Sequence, residues 1–145
     1  MKPSTFFAII LFGLATAPTA PARAQNPVST SVSQSGKVSF RIKQEDFTIY
    51  LSDAGQLLDY YINGKGRIDY DLNGRLRSIG SVGIEYDLND RIRKIGSSAI
   101  SYDLSDRIRE VGPLRIRYNL NDQITEIGNT RISYDLNGRV SNIDG

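Results

Sequence analysis

Five tyrosines recur at sixteen-residue intervals from residue 70 onward in this 145-residue chain. They are Tyr70, Tyr86, Tyr102, Tyr118 and Tyr134, here called the tyrosine column. Because aromatic ring faces attract sugars and other flat ligands, an aligned column of tyrosines could act as a stacking platform for a polymer. The competing interpretation places the rings in the protein core with their hydroxyls at its rim. The tyrosine column is therefore both a candidate ligand-stacking site and a candidate core element.

Three segments rich in Asp and Asn, at 87–90, 103–106 and 119–122, resemble the opening of a calcium loop. Alternating oxygen atoms are the ligands that calcium prefers. The segments lack the later glycine and the distant glutamate of an EF-hand, and turn formation explains their composition equally well. The sequence therefore predicts no metal ion and no cofactor.

Carboxylate pairs could support acid–base hydrolysis of glycosides. Outside the repeat the candidates are Glu45, Asp46, Asp53 and Asp59. Within the repeat, every carboxylate occupies a recurring position, whereas an active site usually interrupts a repeat. The chain has no Cys and no His, which excludes thiol nucleophiles, Ser-His-Asp triads and ordinary zinc or haem sites. We therefore predict a non-enzymatic protein. A small carboxylate hydrolase is the least favoured of the three functions that the sequence suggests.

Residues 1–24 have the pattern of a secretory signal peptide, with Lys2, an apolar run over 6–14, and Ala22-Arg23-Ala24 as a cleavage site. Two of the 18 basic residues and none of the 16 acidic residues lie in this segment, so the remainder is neutral. A neutral chain has no general attraction for nucleic acid, and the apolar run is too short to span a bilayer. We predict a periplasmic or secreted bacterial protein with no nucleic-acid partner and no integral membrane segment after cleavage.

The remainder of the chain divides into three parts. Residues 25–35 are polar and rich in serine, which predicts a flexible lead-in. Residues 36–67 alternate apolar and polar side chains, as at Val38, Phe40 and Ile42, which is typical of half-buried strands. Residues 68–145 contain five copies of a sixteen-residue unit, the last one incomplete. Such a unit has room for two short strands and two turns, and none for a helix.

The turn in the middle of each unit sets the strand register. A two-residue turn at Asn73-Gly74 would place apolar residues opposite charged ones on the same face, which is a poor match. A three-residue loop instead pairs Asp71 with Arg75, Tyr70 with Leu76 and Asp69 with Arg77. It also puts Gly or Asp in the left-handed position, namely Gly74, Asp90, Asp106, Asp122 and Gly138.

The fourth unit supports this register because it has Asn119 in place of the aspartate and Gln123 in place of the arginine. The joint loss of both charges predicts a cross-strand ion pair in the other units, worth about 0.2–1 kcal/mol. Leu76 and Ile79 lie three residues apart, so a β-bulge between them is needed to place both on one face. Between Ile79 and Ile84 we predict a four-residue connection that begins with glycine.

These features predict an all-β fold in which tandem sixteen-residue hairpins form an antiparallel meander or coiled sheet. The alternative is a parallel β-solenoid with one unit per coil, which would stack equivalent aspartates about 4.8 Å apart. A one-sided sheet of hairpins leaves a large apolar face to be covered. Either the sheet coils with residues 36–67 covering one end, or two chains form a homodimer face to face.

The segments Tyr-Asp-Leu-Asn-Gly-Arg-Leu at 70–76 and Tyr-Asp-Leu-Asn-Gly-Arg-Val at 134–140 resemble the Y-D-x-x-G-R-L core of YD repeats. YD repeats are the β-hairpin repeats of Rhs and teneurin-type proteins, where they roll into shells around a toxin or carry interaction domains at the cell surface. The resemblance implies a binding or structural role at the bacterial envelope or outside the cell. The expected partner is a protein or an envelope polymer. The alternative function is a carbohydrate-binding module that uses the tyrosine column.

Overall fold

The computed structural model of the protein describes residues 26–145 and the isolated positions Gly13 and Pro18. The predicted signal peptide otherwise falls outside the described residues. Within the described part the chain forms fourteen strands and no helix. The strands are β1 (Val28–Val32), β2 (Val38–Lys43), β3 (Phe47–Ser52), β4 (Leu57–Ile62), β5 (Ile68–Tyr70), β6 (Leu76–Ile79), β7 (Val82–Tyr86), β8 (Ile92–Ile95), β9 (Ser98–Tyr102), β10 (Ile108–Val111), β11 (Leu114–Tyr118), β12 (Ile124–Ile127), β13 (Thr130–Tyr134) and β14 (Val140–Asp144).

The strands form two antiparallel sheets in which sequence neighbours are also spatial neighbours. Strands β1 to β4 make a four-stranded sheet, and strands β5 to β14 make a ten-stranded sheet in consecutive order. This confirms the predicted antiparallel meander of hairpins. The parallel solenoid was therefore the wrong alternative, because equivalent strands of successive units are separated by an intervening antiparallel strand.

The lead-in predicted to be flexible contains the edge strand β1. Val28 pairs with Ile42, and Thr30 pairs with Phe40. The prediction of a flexible segment at 25–35 is therefore wrong over 28–32. The physical reason is the alternation of β-branched residues, since Val28, Thr30 and Val32 recur at every second position. The intervening serines conceal this alternation in a simple reading of composition.

The three-residue loop of each hairpin is confirmed. Tyr70 pairs with Leu76, and the main-chain N–H of Asp71 donates to the carbonyl of Arg75 at 2.8 Å. The third loop residue has a positive φ in every unit, between 60° and 76°, at Gly74, Asp90, Asp106, Asp122 and Gly138. The predicted bulge is also present, since the register shifts between Asp69 and Tyr70. As a result Asp69 lies opposite Ser78, and not opposite Arg77 as expected.

The connection between units is shorter than predicted. Ile79 pairs directly with Val82, so the turn has two residues, Gly80 and Ser81, where four were expected. Gly80 has φ 58°, the backbone conformation that glycine supplies at the first position of a type II′ hairpin turn. The strands extend this far because the residue after the turn faces the core at Val82 and Thr130, both of which are buried.

The four-stranded sheet covers the apolar face of the ten-stranded sheet. Five side chains from β2 and β3 are completely buried and join the isoleucines of the repeats in one cluster: Phe40, Ile42, Phe47, Ile49 and Leu51. The main-chain N–H groups of Ile108 and Ile124 donate to the carbonyls of Gly55 and Asp53 at 3.0 and 2.8 Å. The N-terminal strands therefore lie over several units, not only over one end of the repeat sheet. The face that two chains would have shared in a face-to-face dimer is filled by the chain itself.

Candidate functional site

The three-residue loops of the hairpins lie side by side where the strands of the ten-stranded sheet end. This row of loops is called here the tip edge, and it is distinct from the two outer strands of the sheet. Next to the tip edge, the tyrosine hydroxyls bind the preceding hairpin. Tyr86 Oη donates to the carbonyl of Leu76, and Tyr102 Oη to the carbonyl of Ile92, both at 2.8 Å. Tyr118 and Tyr134 donate in the same way to Ile108 and Ile124. Four of the five tyrosines thus join one unit to the next.

One face of three of these rings is also occupied. The guanidinium carbon of Arg75 lies 4.3 Å from the centre of the Tyr86 ring. The equivalent distances are 4.2 Å from Arg91 to Tyr102 and 4.0 Å from Arg107 to Tyr118. A cation over an aromatic ring contributes about 0.5–1 kcal/mol at exposed sites and more when desolvated. The rings are therefore clamped between units, which favours the structural interpretation of the tyrosine column.

The same arginines connect aspartates of neighbouring hairpins. Arg75 Nε donates to Asp71 Oδ2 at 2.7 Å within its own loop, and Arg75 Nη1 donates to Asp90 Oδ1 of the next loop at 2.5 Å. Arg91 bridges Asp87 and Asp106 in the same manner, as does Arg107 with Asp103 and Asp122. The three segments that resemble the opening of a calcium loop thus present their last aspartate to an arginine.

The first aspartate of each loop also organises the turn, a role that the sequence analysis did not assign to it. Asp71 Oδ1 accepts hydrogen bonds from the main-chain N–H groups of Asn73 and Arg75, both at 2.9 Å. Asp87, Asp103 and Asp135 make the same pair of bonds. Asp and Asn side chains often accept such bonds at the start of a turn, so these residues are a general sequence signal of turn formation.

The predicted cross-strand ion pair is present in the other four units, and the fourth unit keeps the pairing without the charges. Asn119 Nδ2 donates to Gln123 Oε1 at 3.3 Å, and Asn119 Oδ1 accepts the main-chain N–H of Gln123 at 2.9 Å. A neutral amide pair thus replaces the ion pair without changing the loop. This is consistent with a role in register, because the geometry persists without the charges.

These contacts alter the ionisation of the side chains involved. The main-chain N–H of Arg75 and then its guanidinium lower the pKa of Asp71, and the Arg91 guanidinium lowers the pKa of Asp87. Burial raises the pKa of Tyr102 to about 12. The aspartates are therefore held as carboxylates and the tyrosines as neutral phenols, which are the forms that their hydrogen bonds require.

We expect acid to destabilise the repeat sheet. The pKa is lowered at four loop aspartates, Asp71, Asp87, Asp103 and Asp135. Their contribution to stability is complete above the unfolded-state pKa of about 3.9, and is lost as the pH falls through the lower folded-state values. Urea denaturation at a series of pH values should show the free energy of unfolding falling below about pH 4.

The chain provides a matched control for this prediction. The double variant Asp103→Asn with Arg107→Gln copies the fourth unit, which has the same loop geometry without a titrating pair. The variant should fold and should lose less stability in acid than the natural chain does. An acid dependence equal to that of the natural chain would contradict the assignment of these aspartates.

The most exposed apolar side chains of the described residues lie on the loops of the tip edge. They form a row, called here the leucine row, at Leu72, Leu88, Leu104, Leu120 and Leu136, with exposed fractions between 103% and 107%. Neighbours in the row are separated by about 9.6 Å, twice the spacing of strands. The sequence analysis did not distinguish these leucines from the apolar positions of the strands. Their place as the first residue of a three-residue loop is the signal that could have identified them as exposed.

Two of the four carboxylates considered for hydrolysis lie too far apart to form a glycosidase pair. Asp46 and Asp53 lie at opposite ends of the six-residue strand β3, which separates them by about 20 Å. A glycosidase pair needs carboxyl groups about 5–9.5 Å apart. Glu45 and Asp59 are exposed, and Asp59 Oδ1 accepts the main-chain N–H of Tyr60 at 2.8 Å. Thr130 is the only buried polar residue within 26–145, so none of these four carboxylates is buried.

No protein-family model and no curated protein matches the sequence. The resemblance to YD repeats therefore stays a prediction drawn from the loop motif. The described residues include no helix that could span a membrane.

Proposed function

We propose that the protein is an exported, non-enzymatic binding protein of the bacterial envelope or its surroundings, and that the leucine row is its contact surface. The observation that carries this proposal is the complete exposure of one leucine in every repeat, at the same place on the same edge. Scattered exposed apolar residues are normal on protein surfaces, whereas an aligned apolar set marks an interaction site. The YD-repeat resemblance supports the same class of role.

The energetics require that several leucines act together. Burying one leucine side chain contributes about 1.5–3 kcal/mol, whereas association costs about 4–15 kcal/mol in lost freedom. A partner that contacts a single loop would therefore gain little. A partner with an extended apolar strip can bury several leucines at once, so an elongated protein surface or envelope polymer fits best.

The loops that carry the leucines are preorganised for binding. Each loop is fixed by an aspartate or, in the fourth unit, by Asn119, which accepts two main-chain N–H groups, and arginines tie the first four loops together. A rigid surface loses less conformational entropy when a partner binds. The polar contacts of the repeat thus support the position of the leucines instead of competing with them.

The carbohydrate-binding alternative has less support. A sugar that stacked on the tyrosine column would need free ring faces, but arginines lie over Tyr86, Tyr102 and Tyr118. The separation of Asp46 and Asp53 likewise lends no support to a hydrolase. The non-enzymatic proposal therefore rests on the arrangement of the loops and the carboxylates together.

Site-specific photo-cross-linking tests the proposal. A photoreactive amino acid at position 104 of the full chain, expressed in a bacterial host with export intact, should yield adducts with an envelope component. The matched control is position 109 in β10, an exposed residue of the same unit outside the loop. We expect adducts from position 104 and far fewer from position 109. Equal yields from both positions, or no adduct from position 104, would overturn the proposal.

A further inference from the structure

The two outer strands of the ten-stranded sheet expose positions that the interior units bury. Ile68 in β5 is 51% exposed, whereas Ile84, Ile100, Ile116 and Ile132 are 3–5% exposed. Ile143 in β14 is 40% exposed, whereas Ile95, Val111 and Ile127 are completely buried. At each edge, an isoleucine therefore has the exposure expected of a repeat that lacks one neighbour.

The polar groups at the two edges are complementary in the same sense. Tyr70 is 63% exposed and occupies the position of the tyrosines that donate to the preceding unit. Arg139 has a side chain 64% exposed, whereas Arg75, Arg91 and Arg107 are 21–29% exposed because the following unit covers them. The β5 edge thus presents the tyrosine of a junction, and the β14 edge presents its arginine.

We infer that β14 of one copy of this chain pairs with β5 of a second copy, so that the repeat sheet continues from chain to chain. The strand directions permit this, because every strand with an even number is followed by an antiparallel strand with an odd number. In the interior, Ser78 lies opposite Gly83 and Lys94 opposite Ala99. The same register places Asn142 opposite Arg67 of the second copy.

The contacts of this junction follow from those inside the chain. The Tyr70 hydroxyl of one copy donates a hydrogen bond to the carbonyl of Val140 of the other, as the Tyr134 hydroxyl donates to the carbonyl of Ile124. Arg139 covers the Tyr70 ring and donates to the carbonyl of Gly74, as Gln123 donates to the carbonyl of Gly138 at 2.9 Å. Ile68 and Ile143 become covered as their interior counterparts are.

Charge also favours this pairing. The same register brings Asp144 of one copy next to Lys65 of the other, and both residues are exposed in the single chain. The contact is heterologous, since it joins two different edges, and such contacts generate open chains of copies or closed rings. The leucine row then continues from copy to copy along the tip edge. The inference does not depend on the proposed function, because none of its contacts involves a leucine of that row.

Sedimentation of two single-edge variants tests the inference on the full exported chain. Ile68→Lys places a charge on the β5 edge, and Ile143→Lys places one on the β14 edge. The natural chain should form species larger than a monomer as its concentration rises, and each variant alone should stay monomeric. An equal mixture should stop at a dimer containing one copy of each, because one intact edge of each kind remains.

Other results of this experiment would overturn the inference. They are a natural chain that stays monomeric at every concentration, a single variant that still associates, and a mixture that stays monomeric. Association of a single variant would reveal pairing between two like edges. Leu104→Lys is the matched control, since a charge on the leucine row should leave the association unchanged. Both edge positions are exposed, so the circular dichroism of the variants should match that of the natural chain.

A disulfide tests the register independently, because the chain has no cysteine of its own. Residues directly opposite in antiparallel strands have Cα atoms about 4.5–5.5 Å apart, within the range that a disulfide spans. A mixture of Arg67→Cys and Asn142→Cys proteins should therefore form a covalent heterodimer under mild oxidation. Replacing Asn142→Cys by Ile143→Cys moves the thiol to the other face and should reduce the yield. Equal yields from both mixtures would contradict the proposed register.

Discussion

Replacing Tyr102 by alanine should lower the free energy of unfolding by about 2–4 kcal/mol, the lower part of the range for aromatic truncations in packed sites because the ring is half-buried. The change removes the ring under Arg91 and the hydroxyl that donates to the carbonyl of Ile92. It thereby cuts the connection between the second and third units. Urea denaturation followed by circular dichroism measures the effect.

The variant Tyr102→Phe separates the two parts of this effect. It keeps the ring and removes only the hydroxyl, so it should cost about 1 kcal/mol, the usual net contribution of one hydrogen bond. If Tyr102→Phe were as destabilising as Tyr102→Ala, the ring would contribute nothing. If both variants were neutral, the tyrosine column would not hold the units together.

Replacing Gly55 by alanine should lower the free energy of unfolding by about 2–5 kcal/mol, as left-handed strain and overpacking add together. Gly55 has φ 77°, and a Cβ atom at this position would collide with the hydroxyl of Tyr118 and approach its Cζ atom to 2.6 Å. The Gly55 carbonyl accepts the main-chain N–H of Ile108 at 3.0 Å. The substitution therefore forces the loop between β3 and β4 away from the repeat sheet.

Gly74→Ala is the matched control for this prediction. Gly74 has nearly the same φ, 76°, but a Cβ atom there would meet nothing within 4 Å. It should cost only the backbone term of about 1–2 kcal/mol. The difference between the two variants, measured by urea denaturation, therefore reports the contact between the two sheets. Equal losses in both variants would contradict the docking of the N-terminal sheet on the repeats.

The local structure of each repeat could be predicted from the sequence because its determinants lie within a few residues. The choice of a three-residue loop followed from pairing apolar with apolar side chains, and Gly74 and Asp90 at the left-handed position agreed with it. The joint change to Asn119 and Gln123 identified a pair that the structure confirms. Periodic sequences repeat each local signal several times, which makes the register unusually well determined.

Only part of the long-range arrangement could be predicted, because a repeat pattern does not show how far residues 36–67 extend over the repeats. The burial of Phe40 and Phe47 against the repeats depends on contacts between residues far apart in sequence. Strand β1 was missed because its serines resemble a linker, although Val28 is buried. The bond from Arg75 to Asp90 could not be predicted because it joins two hairpins, whereas the loop pattern defines pairs only within one hairpin.

The central claim is that two residues of a repeat have different roles. The tyrosine joins the repeat to the preceding unit, and the leucine is exposed and free to bind a partner. Urea denaturation of Leu104→Ala beside Tyr102→Ala tests this claim most directly, since both residues belong to one hairpin. Leu104→Ala should change the free energy of unfolding by no more than about 0.5 kcal/mol, as expected for an exposed residue. Tyr102→Ala should show its much larger loss in the same experiment. A large loss from Leu104→Ala together with a neutral Tyr102→Ala would contradict the claim and reverse the two roles.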